Sequence, residues 1–434
     1  MDYQSAYRSK RTTCEALASA FQSGWVVAMD SGPSQPDGMI SALCKRAEES
    51  GLEGIKIHTM LDIYPFPFLY GDTLNGKINA VSWFSGAGAR KAVNAGLADV
   101  VPNYYRDIPG LMRGNYEYDV FCVAVSPMDS HGYFSLATTG SCTEAILSKS
   151  KRIFLEVNEK QPRAICNTQI HISQVDAIVE NTHDMPVLPP VVLDETSITI
   201  GNLIAEQIPD GACIQLGIGA VPNATGNALS SKHDLGIHTE MFTDSMVGLI
   251  ECGAVNNSKK QIHAGKSVTT FAFGSQRIYD YVNDNPAIVF LPVDYVNDPA
   301  VISKNDNFVS INSAIEVDIM GQVCAESVGT RHLSGTGGQV DYVRGACQSR
   351  GGKSFIAIES TAKNGTISKI VPSLAPGAVV TTSKNDVDYI VTEYGIAHLR
   401  GHSLSERASA LISIAHPDFR DQLAFEAKKR GIML

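Results

Sequence analysis

The chain has 434 residues, 44% hydrophobic and 18% charged, and 35 basic against 45 acidic side chains leave a net charge of −10. That length exceeds one ordinary hydrophobic core and implies two domains. The acidic balance argues against a nucleic-acid partner, which needs a basic surface.

The N-terminus, Met1-Asp2-Tyr3-Gln4-Ser5, lacks the apolar core of a signal peptide. No apolar run approaches the ~20 residues that span a bilayer, so no membrane association is expected. The nine cysteines are scattered without a Cys-x-x-Cys pair. They read as reduced thiols of a cytoplasmic protein, with neither a disulfide framework nor a metal site. The fold class expected is α/β: short apolar runs alternate with helical patterns, which implies mostly parallel sheets covered by helices.

The chain also reads as two copies of one plan. Gly24-Trp25-Val26-Val27-Ala28-Met29-Asp30-Ser31-Gly32 leads through Pro36 to Ser41-Ala42-Leu43. Gly211-Ala212-Cys213-Ile214-Gln215-Leu216-Gly217-Ile218-Gly219 leads through Pro222 to Asn227-Ala228-Leu229. Phe121 to Ser126 reaches Asp129-x-x-Gly132, and Phe308 to Asn312 reaches Asp318-x-x-Gly321. A third pair sets Ile153-Phe154-Leu155-Glu156 against Ile356-Ala357-Ile358-Glu359. The order is the same in both halves, which implies two similarly folded α/β domains by duplication. Prolines clustered in Asp184-Met185-Pro186-Val187-Leu188-Pro189-Pro190 oppose helix and central strand. The expected boundaries are therefore 1–187 and 188–434. Ser403 to Lys429 reads as helices broken near Pro417.

Chemistry concentrates in the second half. Gly217, Ile218, Gly219, Ala220 and Val221 follow an apolar strand and precede a helix expected over Thr225 to Leu229. A glycine-rich strand end opening into a helix presents backbone N–H groups to an anion or a developing oxyanion. It is not a dinucleotide fingerprint, because Pro222 stands where that motif needs glycine, and no Gly-Lys-Ser/Thr closes a P-loop. The first half has Asp30-Ser31-Gly32-Pro33 at the matching turn; proline lacks an N–H and aspartate repels an oxyanion. The covalent chemistry is thus expected in the C-terminal half, with the N-terminal half covering the site and shaping the acyl pocket. Tyr64-Pro65-Phe66-Pro67-Phe68-Leu69-Tyr70 is either an apolar acyl pocket or loop packing.

Glu240 follows, beside Met241 and Phe242, with His238 and Asp244 as candidate structural partners. A carboxylate beside an oxyanion pocket is the minimum for covalent acyl transfer. The alternative is a surface glutamate at a strand end. A second glycine loop, Ser334-Gly335-Thr336-Gly337-Gly338, permits close approach to a ligand. Asn297 stands before Asp298-Pro299, where residues alone favour an Asx turn. Arg344, Arg350, Lys353, Lys363 and Lys369 form the candidate basic patch for an anionic ligand.

These passages together resemble the acetyl-CoA hydrolase/transferase group of family I CoA-transferases, nearest its 4-hydroxybutyrate CoA-transferase and butyryl-CoA:acetate CoA-transferase branch. The likeness is carried by Gly217 to Ala224, Gly236-Ile237-His238-Thr239-Glu240-Met241, Pro292 to Asn297, Gly337 to Ala346 and Val391 to Gly401. It reaches the first half at Val125-Ser126-Pro127-Met128-Asp129 and Glu156-Val157-Asn158-Glu159. The resemblance implies that Glu240 is the nucleophile. It makes the backbones of Ile218, Gly219 and Gly338 the oxyanion-binding positions, and Asn297 a polar group near the reacting carbonyl. It implies acyl-CoA and a short-chain carboxylic acid as substrates, no permanently bound cofactor, and a homodimer. Lys363 is the candidate for the nucleotide phosphates, against an ordinary solvated lysine. The rival activities are hydrolysis of acyl-CoA by the same glutamate and non-catalytic CoA binding. Two departures bear on substrate: Ser31 stands where 4-hydroxybutyrate enzymes usually carry histidine, and Asn223 where they often carry aspartate.

Overall fold

The computed structural model describes residues 2–433. Backbone contacts group them into two compact units. The first takes the chain up to Pro189 together with Val268–Tyr295 and Leu333–Gly335; the second takes the rest. The proline cluster ends the first stretch, but the division is not a single cut. The later segments hydrogen-bond into the first unit: Gly140 N–H donates to Thr270 O (2.7 Å), Asn167 N–H to Phe290 O (3.0 Å) and Arg90 Nε to Leu333 O (2.6 Å). Such non-local returns leave no local composition signal.

In the first unit, β1 (Arg11–Thr12), β2 (Val26–Met29), β3 (Ile55–Thr59), β4 (Ile78–Ser82), β5 (Ala98–Val100), β6 (Val120–Val125), β7 (Ile153–Val157) and β8 (Ala177–Glu180) form one sheet. Its order is β1-β8-β7-β6-β2-β3-β4-β5, and every pairing is parallel. Every residue of β6 and β7 is buried, as continuous apolar runs in a doubly covered sheet require. Helix α1 (Asp37–Glu49) follows β2 and buries Met39, Ile40, Leu43, Cys44 and Ala47 in a core shared with Leu17, Phe21 and Val27.

In the second unit, β9 (Cys213–Leu216), β10 (Gly236–Phe242), β11 (Phe308–Ser313), β12 (Lys353–Ala357), β13 (Tyr389–Thr392) and β14 (Gly395–His398) run in the order β10-β9-β11-β12-β13-β14. This is the path β3-β2-β6-β7-β8-β1 of the first unit. Only the last pair differs: β13 and β14 are antiparallel, whereas β8 and β1 are parallel. Helix α2 (Ala220–Ala228) follows β9 as α1 follows β2. The C-terminal helices, Leu404–Ser413 and Pro417–Lys429, break where Pro417 was expected to break them.

Register makes the duplication quantitative. Val27 lies opposite Ile57 and Val120, and Ile214 lies opposite Ile237 and Val309. Counting from those anchors equates His58 with His238, Met60 with Glu240, and Asp129 with Asp318. The two aspartates build the same turn. Asp129 Oδ1 accepts from His131 N–H (2.8 Å) and Tyr133 N–H (2.9 Å); Asp318 Oδ1 accepts from Met320 N–H (3.0 Å) and Gln322 N–H (2.9 Å). Gly132 and Gly321 take left-handed φ values of 84° and 88°. The finer alignment read from sequence needs correction. Phe121 falls level with Ser310, not Phe308, and Ile153 with Ser354, not Ile356. Similar side chains on neighbouring steps of an apolar strand look alike in sequence.

Candidate active site

The loop after β9 is built by close backbone contact. Gly217 N–H donates to Ile311 O at 2.8 Å, and a Cβ on Gly217 would stand 3.1 Å from that same oxygen. Beneath it, Gln215 and Asn312 exchange amide hydrogen bonds (3.3 and 3.2 Å). Gly219 caps α2 at φ 121°, a conformation open to glycine, with no side-chain cap. The helix begins at Ala220, five residues before the expected Thr225. Pro222 sits in the first turn, where its missing N–H costs nothing. The N–H groups of Ala220 and Val221 therefore lie in that turn, which has no intrahelical acceptors. Ile218 turns its side chain outward, 59% exposed, leaving the loop's backbone as its chemical content. Asn223 Nδ2 donates to Gly219 O at 2.9 Å. An aspartate there could not make this bond, which accounts physically for the amide.

Glu240 lies on the adjacent parallel strand β10. Ile214 opposite Ile237 puts Gly217 level with Glu240 at the C-terminal edge of the sheet. Glu240 is half-buried on an otherwise buried strand. Asn297, itself fully buried, donates Nδ2 to Glu240 Oε2 at 2.7 Å. The Asx turn expected of Asn297 is made instead by Asp298, whose Oδ1 accepts from Ala300 N–H (2.9 Å). That leaves the Asn297 amide to face the carboxylate.

The second glycine loop closes over the same carboxylate. Gly337 needs glycine for its φ of 62°, and Gly338 needs it for space: a Cβ there would collide with Glu240 Oε2 and Asn297 Nδ2. Gly338 is also the N-cap of α3 (Gln339–Gln348), and its N–H donates to the Glu240 carboxylate. Burial pushes the Glu240 acid up to about 7, against the opposing pull of Asn297 and the Gly338 N–H. The result is a carboxyl group poised near neutral pH and held by two donors.

Sequence reasoning missed one supporting residue. The Glu326 carboxylate accepts hydrogen bonds from Thr336 and Thr381, which ties down the loop that carries Gly337 and Gly338. Its acid in Cys324-Ala325-Glu326-Ser327 was visible, but no spacing linked it to Thr336.

The expected basic patch does not form. Arg344 pairs with Asp386 (3.1 Å), Lys369 with Glu359 (3.4 Å) and Arg350 with Asp306, while Lys353 Nζ reaches Gln207 O (3.1 Å). Each cation is drawn to its own local acceptor. Lys363 sits exposed at the tip of the hairpin Thr361–Ala362/Ile367–Ser368 at φ 49°. Among the described residues no helix is long and apolar enough to cross a membrane.

A half-buried carboxylate held by an amide and a helix-capping glycine beside a backbone-lined strand end is the equipment of covalent acyl transfer. Residues 1–189 match the acetyl-CoA hydrolase/transferase N-terminal domain, and residues 274–427 match the C-terminal domain of that name. Glu240 lies between the two matched stretches. The chain is 48% identical to a succinyl-CoA:cyclohexane-1-carboxylate CoA transferase of Geobacter metallireducens, over 98% of this chain and 97% of that protein. It is 43% identical to a 4-hydroxybutyrate coenzyme A transferase of Clostridium kluyveri, over 99% and 100% respectively. The crystal structure of RipA from Yersinia pestis superposes at a TM-score of 0.94 with 39% identity, covering 100% of both chains. The chain belongs to the acetyl-CoA hydrolase/transferase family. It is a CoA-transferase whose substrates are an acyl-CoA and a carboxylic acid.

Proposed function

We propose that this protein transfers CoA from a short-chain acyl-CoA to a carboxylic acid through a thioester on Glu240. The observation that carries the reading is the grip of Asn297 Nδ2 and Gly338 N–H on the Glu240 carboxylate. The ionised carboxylate attacks the thioester carbonyl, CoA thiolate leaves, and an acyl-glutamyl anhydride results. The thiolate then attacks the glutamyl carbonyl, the first acid leaves as carboxylate, and the CoA is left on Glu240. A second carboxylate reverses both steps and departs as its CoA ester. No ATP is required, because a thioester is present at the start and the end.

The two sets of donors divide the work. In the first step the oxyanion forms on the substrate carbonyl, and the N–H groups around Ile218, Gly219, Ala220 and Val221 are the donors near the level of Glu240. In the second step it forms on the glutamyl oxygen itself, where Asn297 and Gly338 already sit. One such donor is typically worth ~3 kcal/mol of barrier. The nucleotide end of CoA supplies binding energy spent at the reacting carbon. Lys363 remains the candidate for the phosphates.

For substrate, the reading extends to a 4-hydroxybutyrate or butyryl-CoA:acetate type of exchange, with cyclohexane carboxylate and succinate as further acids to test. The experiment is a panel of carboxylic acids offered with butyryl-CoA, following both the new CoA ester and free thiol. Transfer that disappears in Glu240→Ala supports the reading. Free thiol released without an acceptor, at the rate of transfer or faster, would make the enzyme a hydrolase instead.

A further inference from the structure

His238 stands two residues before Glu240 on β10, on the same face of the strand. Its ring is fully buried and its Nε2 lies 2.7 Å from Val296 O. A carbonyl oxygen only accepts, so Nε2 carries the proton and Nδ1 is the bare lone pair. Nδ1 is buried and has no hydrogen-bond partner among the described residues. An unsatisfied buried acceptor ordinarily costs stability. A phenylalanine would fill similar space without that cost, against the Phe308 ring that packs edge-on at 6.2 Å.

What the histidine supplies is the bond to Val296, and the next residue is Asn297. The chain from the ring runs Nε2–H to Val296 O, then one peptide to Asn297, then Nδ2–H to Glu240 Oε2. The start and the end of this chain lie on one strand, so the loop is clamped to β10 at two successive steps of the same face. From the Asn297 side chain, Oδ1 is also buried without a partner among the described residues. The amide is therefore fixed only by its Nδ2 bond and by where its backbone is held.

We infer that His238 is a positioning residue for acyl transfer: it holds the Val296 carbonyl so that the Asn297 amide stays on the Glu240 carboxylate. The inference rests on the glutamyl mechanism proposed above. The ring does no proton transfer of its own. Burial, with Lys260 and then His263 acting in the same direction, pushes it down to about 3, so it stays neutral through the working range. Lys260 is itself spoken for, donating to Ile237 O (2.8 Å) and Lys266 O (2.6 Å). Lys260 is thus fixed in place, while Asn297 and the Gly338 N–H act on Glu240.

The test compares three substitutions. Gln places an amide nitrogen near the old Nε2, Asn places one short of it, and Phe keeps the ring without a donor. His238→Gln should retain transfer within a few-fold of the parent. His238→Phe and His238→Asn should lose roughly 10- to 100-fold in kcat with KM little changed, the size expected when a positioned donor drifts. Their acid-limb midpoint in kcat/KM should move upward, because Glu240 loses a bond that favours its charged form. With Asn297→Ala already in place, His238→Phe should add almost nothing. The inference is overturned if the folded Phe or Asn variant keeps the parental rate and midpoint. It is overturned equally if the effects of His238→Phe and Asn297→Ala multiply. Should the Phe variant fail to fold, the Gln and Asn pair decides: equal loss in both, with no shift in midpoint, refutes it. Full transfer by Glu240→Ala would instead remove the underlying mechanism, and is read from that variant alone.

Discussion

The two halves follow one strand order and differ at the few positions where chemistry would occur. Where the second half has Glu240, the first has Met60, buried after β3. Where the second has Gly217, the first has Asp30, whose Oδ1 takes the N–H of Ser31 at 2.7 Å. That N–H is the counterpart of Ile218's. The first turn of α1 is also occupied: Glu156 accepts from Gly38 N–H (3.1 Å) and Met39 N–H (2.7 Å). Register puts Ala357 at the position of Glu156, and α2 begins with no side-chain cap. One half satisfies its helix N-terminus and strand-end amides with its own carboxylates; the other has glycine and alanine where those carboxylates stand. The histidines repeat the lesson. His58 Nδ1 is met by Trp83 Nε1–H (3.2 Å) and Tyr118 Oη (3.4 Å), whereas His238 Nδ1 has no partner among the described residues and Nε2 bonds the loop beside Glu240.

The comparison breaks most severely if its central difference is erased. Glu240→Met gives the second half the first half's residue, and transfer should fall to background while folding persists. A steady-state assay at saturating acyl-CoA reads this, and activity above a tenth of the parent contradicts it. Next in size, Gly217→Asp copies Asp30 into the working turn. Its carboxylate would take the amide and repel the oxyanion, with an expected loss of roughly 100- to 1,000-fold in kcat. Gly338→Ala should cost about 100-fold, because its Cβ displaces Glu240 and Asn297. Gly248→Ala is the matched control: nothing lies within 4 Å of a Cβ there, on a helix surface. That variant should keep full activity and melt no lower than the parent.

The smallest effect is in pH. The folded-state acid of Glu240 near 7 lies above the ordinary ~4.3 of an unfolded chain. The folded state therefore holds this proton more tightly. The stabilisation it brings is complete below the unfolded value and is lost as pH rises through about 7. Over that window the group removes on the order of 3 kcal/mol. Denaturant unfolding of Glu240→Gln should lack this part of the pH slope. An unchanged slope would place the perturbed acid elsewhere. Activity runs the other way, rising through about 7 as the nucleophile ionises.

Much of this contrast was legible in sequence. The α/β class, the duplicated order and the unequal turns at Asp30 and Gly217 all show in local apolar runs and glycines. Glu240 stood out as an acid among Met241 and Phe242. What stayed hidden depends on distant pairing. Register alone separates Phe121–Ser310 from Phe121–Phe308. The returns of 268–295 and 333–335 to the first unit have no compositional mark, and Glu326 meets Thr336 only through folding. The basic patch misled because a run of cations says nothing of the acids each will find. Asn297 reads as a turn residue until Asp298 is seen making the turn.

The most direct measurement adds acyl-CoA without acceptor, reduces with borohydride, and locates the modified residue by peptide mass spectrometry. The account predicts reduction of a thioester at Glu240, with none in Glu240→Gln. Modification at another side chain, or rapid transfer with Glu240 left untouched, would contradict it.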